Sequence, residues 1–268
     1  MSLKISVIMP VFNTEKFLKE SIESILNQGF QDFELIILDD FSSDWSYEIC
    51  KKYSEKNKKI KLFRNEKNMW ISFCRNKLIE LSKANYIASQ DSDDVSELNR
   101  LEICFNFLEK NPDFWVVSWN NLIINEDWKR IWERKYSDKI RKIILKKSPI
   151  SQPSSMFKKD LFEKIWWYDK NLDLAEDYDL WLRFYFNWFW IKNLDQNLIR
   201  YRLRKWQEKS ENIKKTLKNT IFVQEKNIKK FWIKLNFSEK FNILLEKILL
   251  KIPEKIIFKL FKFFEYKK

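Results

Sequence analysis

The sequence holds no histidine, one glycine (Gly29) and three cysteines in 268 residues. Without imidazole, Ser-His-Asp triads, Cys-His dyads, HExxH zinc sites and histidine phospho-relay are excluded, and acid–base or metal chemistry falls to carboxylates. Cys50, Cys74 and Cys104 are odd in number, far apart and form no CxxC, so neither a disulfide framework nor a thiolate zinc site is indicated. No apolar run approaches the ~18 residues of a membrane-spanning helix. Residues 1–10 are too short and too soon broken by Pro10 for a secretory signal; they read as a first strand.

The shortage of glycine has a counterpart. A domain of this length ordinarily carries roughly 19 glycines, at ~7% usage. Here tryptophan appears thirteen times, and it stands where turns want glycine: Trp45, Trp70, Trp166-Trp167, Trp188 and Trp190. Turns with positive φ depend on glycine because a Cβ is costly there. One reading is a genetic code in which UGA means glycine. The plainer alternative is an aromatic-rich protein from an AT-biased source, in keeping with 23 phenylalanines and its lysine runs. Trp181, inside Asp179-Leu180-Trp181-Leu182, reads as a true core indole.

What is present supports a folded chain. Apolar residues make up 45% and charged residues 33%, enough for one large domain or a domain with an appendage. In the first hundred residues strand and helix signals alternate. Strands are expected over 4–9, 33–38, 59–63 and 86–89. Helices are expected over 14–27, with Thr14 as N-cap, over 46–56 and 71–82, and near 97–110. This alternation predicts an α/β fold with a parallel sheet flanked by helices, which binds ligands beyond the C-terminal strand ends. The acidic clusters fall there: Asp39-Asp40 after the second strand and Asp91 to Asp94 after the fourth. Residues 111–210 are less regular, with strands over 114–124 and 152–157 and a helix over 176–186. Glu176 and Asp177 open that helix, where two acids also suit the macrodipole.

Residues 211–268 carry 15 lysines against six glutamates, and so +9 of the total +13. Their apolar residues interleave with lysine, as in Ile256, Ile257, Leu260 and Phe261 beside Lys255, Lys259 and Lys262. A basic amphipathic tail reads as membrane-surface contact, or as a helix packed on its own domain with a solvated lysine face.

Three segments in order resemble a known family. ISVIMPVFNTEKFLKESIESILNQGFQDFELIILDDFSSD, Ile87 to Asp94 (IASQDSDD) and Leu174 to Arg183 (LAEDYDLWLR) resemble the nucleotide half, the DxD segment and the ED segment of family 2 inverting glycosyltransferases with the GT-A fold. The resemblance covers about residues 3–210 and ends on the Ile199 to Leu203 segment. It implies a GT-A domain over 1–210, with a nucleotide-binding half (1–110) and an acceptor half (111–210), followed by a basic helical tail (211–268).

It further implies Mg²⁺ or Mn²⁺ at Asp91 and Asp93, and donor contacts from Pro10, Phe12, Asn13, Glu15, Asp40, Arg75, Asp91, Asp94 and Arg202. Asp177 becomes the general base and Glu176 its positioning partner. The bland roles of the same residues are strand termination at Pro10, a capping acidic turn at Asp91 to Asp94, and a surface ion pair at Arg75. The implied activity moves a sugar from a nucleotide-sugar, UDP-linked, to a glycan or lipid-linked acceptor for cell-surface polysaccharide. The implied place is the cytoplasm at the inner membrane face. A catalytically inactive scaffold that binds a membrane or partner through its tail is the alternative. Nucleic-acid binding rests on pI ≈ 9.4 alone and is set aside. The family's glycines fall on Trp45, Trp70, Trp166, Trp167, Trp188, Trp190 and Trp206. Where relatives carry histidine, this chain has Gln152 and Arg204.

Overall fold

The structure, a computed structural model, describes residues 3–165, 167–172, 174–204, 213–254 and 256–257. In chain order it runs β1 (Ile5–Val11), α1 (Glu15–Leu26), β2 (Phe33–Asp39), α2 (Ser46–Lys56), β3 (Ile60–Arg64), α3 (Trp70–Leu81), β4 (Tyr86–Ser89), β5 (Val95–Ser96) and α4 (Arg100–Lys110). There follow β6 (Phe114–Ile124), β7 (Arg130–Arg134), α5 (Ile140–Ile143), β8 (Ser155–Lys158), α6 (Leu161–Ile165), α7 (Glu176–Phe186), β9 (Trp190–Arg202), α8 (Ile213–Lys230) and α9 (Phe237–Leu249).

One sheet carries these strands in the order β3-β2-β1-β4-β8-β6-β9-β5, with β7 paired to β6. β3, β2, β1 and β4 are mutually parallel, as the strand–helix alternation predicts. Beyond β4 the sheet is mixed: β8 runs antiparallel to β4 and β6, and β9 is parallel to β6.

Period-two alternation sorts β1 between two cores. Val7, Met9 and Val11 pack with Leu18, Ile22 and Ile25 of α1 and with Leu101 and Leu108 of α4. Ile8 faces the other way, toward Leu78 and Ile79 of α3 and Leu180 and Trp181 of α7. Each fully buried aliphatic of this kind contributes about 1.5–3 kcal/mol. Trp181 is fully buried, as its sequence context predicts. The cysteines are free and buried, and burial pushes the Cys50 and Cys104 thiols up to about 12.

Local expectations need correcting in four places. Pro10 does not end β1; the strand runs through it to Val11. The Ile8 carbonyl accepts from Gln90 on the β4 side and the Val11 carbonyl from Asp40 on the β2 side. Pro10 therefore directs its missing N–H toward β4, whose pairing has already ended at Ile8–Ser89. Thr14 holds the N-cap position of α1, its carbonyl accepting the Leu18 N–H (3.0 Å), but its hydroxyl makes no capping bond and donates to Ser92 (3.0 Å). Residues Gln152–Ser154 form a 3-10 turn ahead of β8. Trp45 has φ −77°, so its backbone does not demand glycine.

The basic tail begins as part of the domain. α8 packs on α7, placing Val223 in the core, and Asn227 donates to Asp179 Oδ1 (2.9 Å). Among the described residues no helix is long and apolar enough to cross a membrane. Trp166, Trp206 and the tail from Phe258 onward lie outside the described residues.

Candidate active site

The loops that follow β1, β2 and β4 meet at one end of the sheet. Thr14 joins Ser92 across 78 residues, and the Asn13 N–H donates to Ser42 Oγ (3.1 Å). Asn13, in the left-handed region (φ 49°), accepts the Ser43 N–H at 2.9 Å. Glu15 accepts the Trp45 N–H (2.8 Å) at the head of α2, and Phe12 stands exposed beside Asn13. Of these, Phe12, Asn13 and Glu15 are the ones the family resemblance assigns to the donor, and the structure holds the Asn13–Glu15 segment against the loop that follows β2.

Asp40 is buried and its carboxylate is well supplied. Oδ1 accepts Asn65 Nδ2 (2.7 Å) and the Met69 N–H (2.8 Å); Oδ2 accepts the Trp70 N–H (3.0 Å). It thus anchors the N-terminus of α3, where an anion is favoured by the helix dipole. Asp39 pairs with Arg64 (3.1 Å), and its Oδ1 has no partner among the described residues.

After β4, Asp91, Asp93 and Asp94 crowd one turn. Burial, opposed by Arg204 and reinforced by Asp91, raises the Asp93 carboxyl above the usual range. Burial, then Asp93 and Asp91, holds Asp94 well above it. Asp93 Oδ2 pairs with Arg204 Nε (2.7 Å), and Asp94 Oδ1 accepts the Arg202 N–H (2.8 Å). Asp94 Oδ2 is buried without a hydrogen-bond partner among the described residues. Three carboxylates in one turn, with the Asp94 Oδ2 orphaned among the described residues, form a donor set suited to a hard divalent cation. Among the described residues the acids do not already converge into a cage of three, so a cation would have to draw them together.

Two buried arginines brace this turn. Arg100 donates through Nη1 to Gln90 Oε1 and Ser96 Oγ (2.6 Å each) and through Nη2 to the Ser89 carbonyl. Burial lowers its pKa to about 10. Arg202 pairs with Glu20 (2.6 Å), donates to the Asp93 carbonyl (3.0 Å) and is 1% exposed. The sequence offered Arg202 as a donor contact; the structure places it beneath the acidic turn, and Arg204 reaches the Asp93 carboxylate. Nothing in the sequence signals Arg100, because a lone helix arginine ordinarily reads as solvated.

Arg75 connects the two halves. From α3 its Nη1 pairs with Glu176 at the head of α7, and its Nη2 lies 3.6 Å from Asp91. Its guanidinium also sits 5.7 Å from the Tyr168 ring centre. Burial opposes the charge on Arg75, but Glu176 and Asp91 outweigh it and raise the pKa. Leu174 (φ 63°) and Ala175 (φ 106°) are both left-handed immediately before α7. That bend sets the start of the helix, so Glu176 faces Arg75 and the buried Asp177 follows it.

A curled sheet, parallel in its first half and flanked by helices, with acids at its C-terminal strand ends, is the GT-A architecture of glycosyltransferases. Solved structures share it. They include S. aureus TarS 1-349 in complex with UDP-GlcNAc, at a TM-score of 0.62 and 19% identity, covering 91% of this chain and 79% of that one. A second is the mannosyltransferase PcManGT from Pyrobaculum calidifontis in complex with GDP-Man and Mn²⁺, at 0.67 and 14%, covering 94% and 70%. In sequence, an uncharacterized glycosyltransferase of Methanocaldococcus jannaschii is 35% identical over 79% of this chain and 74% of its own. The O-antigen biosynthesis glycosyltransferase WbnJ of Escherichia coli is 39% identical over 74% of this chain and 79% of its own. Residues 6–166 match the model of glycosyl transferase family 2, and the chain belongs to that family.

Proposed function

We propose that this glycosyltransferase moves a sugar from a UDP-linked donor to a glycan or lipid-linked acceptor, with inversion and with a divalent cation. The observation that carries the reading is the double pairing of Arg75. A single displacement needs acids that manage the leaving diphosphate and acids that manage the acceptor, side by side. Arg75 touches one of each, Asp91 and Glu176.

In this reading Asp177 takes the proton of the acceptor hydroxyl while that oxygen bonds to the anomeric carbon. The bond from that carbon to the diphosphate oxygen breaks, and its electron pair leaves with the nucleoside diphosphate. Glu176, fixed by Arg75, positions the acceptor side. Asp91 and Asp93 would hold Mg²⁺ or Mn²⁺, with Asp94 behind them. When bound, the ion neutralises the charge growing on the departing diphosphate. Phe12, Asn13, Glu15 and the β2 end at Asp40 form the base end of the donor site. The O-antigen biosynthesis role of the Escherichia coli relative favours a cell-surface polysaccharide acceptor, and the UDP-GlcNAc and Mn²⁺ complexes of the structural neighbours favour such a donor and cation.

The tail supplies a location. α9 turns Phe237, Phe241, Leu244, Leu245 and Ile248 to solvent, each at least 43% exposed. Their spacing draws one stripe along the helix. Lys240, Lys247 and Lys251 are exposed on the same helix and its end, within a segment that is strongly cationic. An apolar stripe with lysine beside it suits an anionic lipid surface, where lipid-linked acceptors lie.

Isothermal titration with UDP and Mn²⁺ tests the donor reading. Saturable heat is expected, and a silent titration would overturn it.

A further inference from the structure

Tryptophan supplies 13 of 268 residues, yet four of the eight positive-φ positions among the described residues: Trp70, Trp128, Trp188 and Trp232. Their φ values are 67°, 64°, 65° and 52°. An indole is a poor occupant of the left-handed region, because its Cβ crowds the backbone.

The hydrogen bonds say which residue each position wants. After α7, the Phe189 N–H donates to the Phe184 carbonyl (3.1 Å) and the Trp188 N–H to the Tyr185 carbonyl (3.1 Å). That pair of 6→1 and 5→2 bonds is the Schellman motif, with Trp188 at the C′ position where glycine is preferred. α8 ends the same way. The Ile233 N–H donates to the Ile228 carbonyl (3.0 Å) and the Trp232 N–H to the Lys229 carbonyl (3.4 Å), placing Trp232 at C′.

Between β6 and β7, the Trp128 N–H donates to the Asn125 carbonyl (3.2 Å) and the Asn125 N–H to the Lys129 carbonyl (3.0 Å). This is a three-residue hairpin loop that closes on a left-handed residue, again a glycine position. Trp70 opens α3 in a left-handed conformation with its N–H on Asp40. Three of the four indoles gain no burial in return: Trp70, Trp188 and Trp232 are 60%, 81% and 92% exposed.

We infer that the codons for Trp70, Trp128, Trp188 and Trp232 are read as glycine in the cell that makes this protein, and that its native chain carries glycine at these turns. Trp181 is the internal control. It lies within α7, with helical backbone and no solvent exposure, and remains tryptophan. The exposed Trp45, Trp167 and Trp190 follow the four if they share their codon. At position 70 the change bears on the donor site: the head of α3 beside Asp40 presents a bare N–H in place of an indole.

Two tryptic peptides of protein isolated from its own source decide the matter by tandem mass spectrometry. Peptide 184–192 contains Trp188, and peptide 171–183 contains Trp181. Glycine at 188 with tryptophan at 181 is expected. Tryptophan at 188 overturns the inference, and glycine at both positions overturns its selectivity. The masses do not depend on activity, so this result stands apart from the catalytic reading.

Discussion

Arg75 and Glu176 lie 101 residues apart in the chain and meet as a buried ion pair between the middle of α3 and the head of α7. The pair is closed to solvent on both sides, with side chains 8% and 5% exposed. Its worth is specificity of arrangement more than net stability, because burying two charges costs much of what their attraction returns. Removing one partner is different. Arg75→Met takes a buried guanidinium away from Glu176 and Asp91, and a loss of about 3–5 kcal/mol is expected. Urea unfolding measures it. Wild-type stability in Arg75→Met would show that the pair does not hold the two helices together.

Asp177→Asn keeps the shape of the side chain and removes its proton affinity. Transfer should fall by about 10²- to 10⁴-fold, the usual span of a lost general base. UDP affinity and melting temperature should stay within error of wild type. Turnover and titration on the same preparation check both halves, and retained activity would move the base elsewhere.

The acidic turn gives the metal-free protein a pH signature. Asp93 and Asp94 have raised pKa values, so the folded state binds more protons than the unfolded chain between the ordinary carboxylate pKa and the raised ones. Their contribution to stability therefore falls as pH rises through that window. Melting temperatures with EDTA should be lower at pH 8 than at pH 5.5, and Asp94→Asn should flatten the difference. Added Mn²⁺ should raise the melting temperature more at the higher pH, since binding must displace protons at the lower.

Trp188→Gly should stabilise the chain by about 1 kcal/mol, because a left-handed residue with a Cβ carries roughly 1–2 kcal/mol of strain and glycine's extra unfolded entropy offsets part of the gain. Trp188→Ala keeps the Cβ and should recover less. Urea midpoints of the two variants give the order, and alanine equal to glycine would remove the strain argument at this turn.

Phe241→Glu puts a charge in the middle of the α9 stripe. Its binding to phosphatidylglycerol vesicles should drop at least tenfold while turnover on a water-soluble acceptor is kept. Equal binding by wild type and variant would remove α9 from the membrane.

Periodicity located α2, β4 and α7 to the residue, because each combines a clear pattern with a sharp boundary: Ser46 to Lys56, Tyr86 to Ser89, and Glu176 to Phe186. It failed at Pro10, where a strand-breaking residue survives because β4 pairing ends two residues earlier, at Ile8. The mixed half of the sheet was also hidden, since nothing local in β8 or β9 states which neighbour it pairs with. Asp40 and the acidic turn were legible as neighbours because strand ends in an alternating chain share one edge, while Phe12 and Asn13 were offered by the family resemblance alone.

The sequence by itself determined which chemistry was open to this protein: carboxylates without imidazole, placed after parallel strands, and tryptophans standing where backbones turn. The tertiary structure alone decided which of those groups meet. Arg75 could have been a solvated helix residue and Arg202 a ligand contact. Packing buried both, setting the first between two acids and the second beneath the loop. The Arg75–Glu176, Arg202–Asp93 and Arg202–Glu20 contacts behind that outcome each span more than 100 residues, and long-range electrostatics of that kind leaves no periodic trace in a chain.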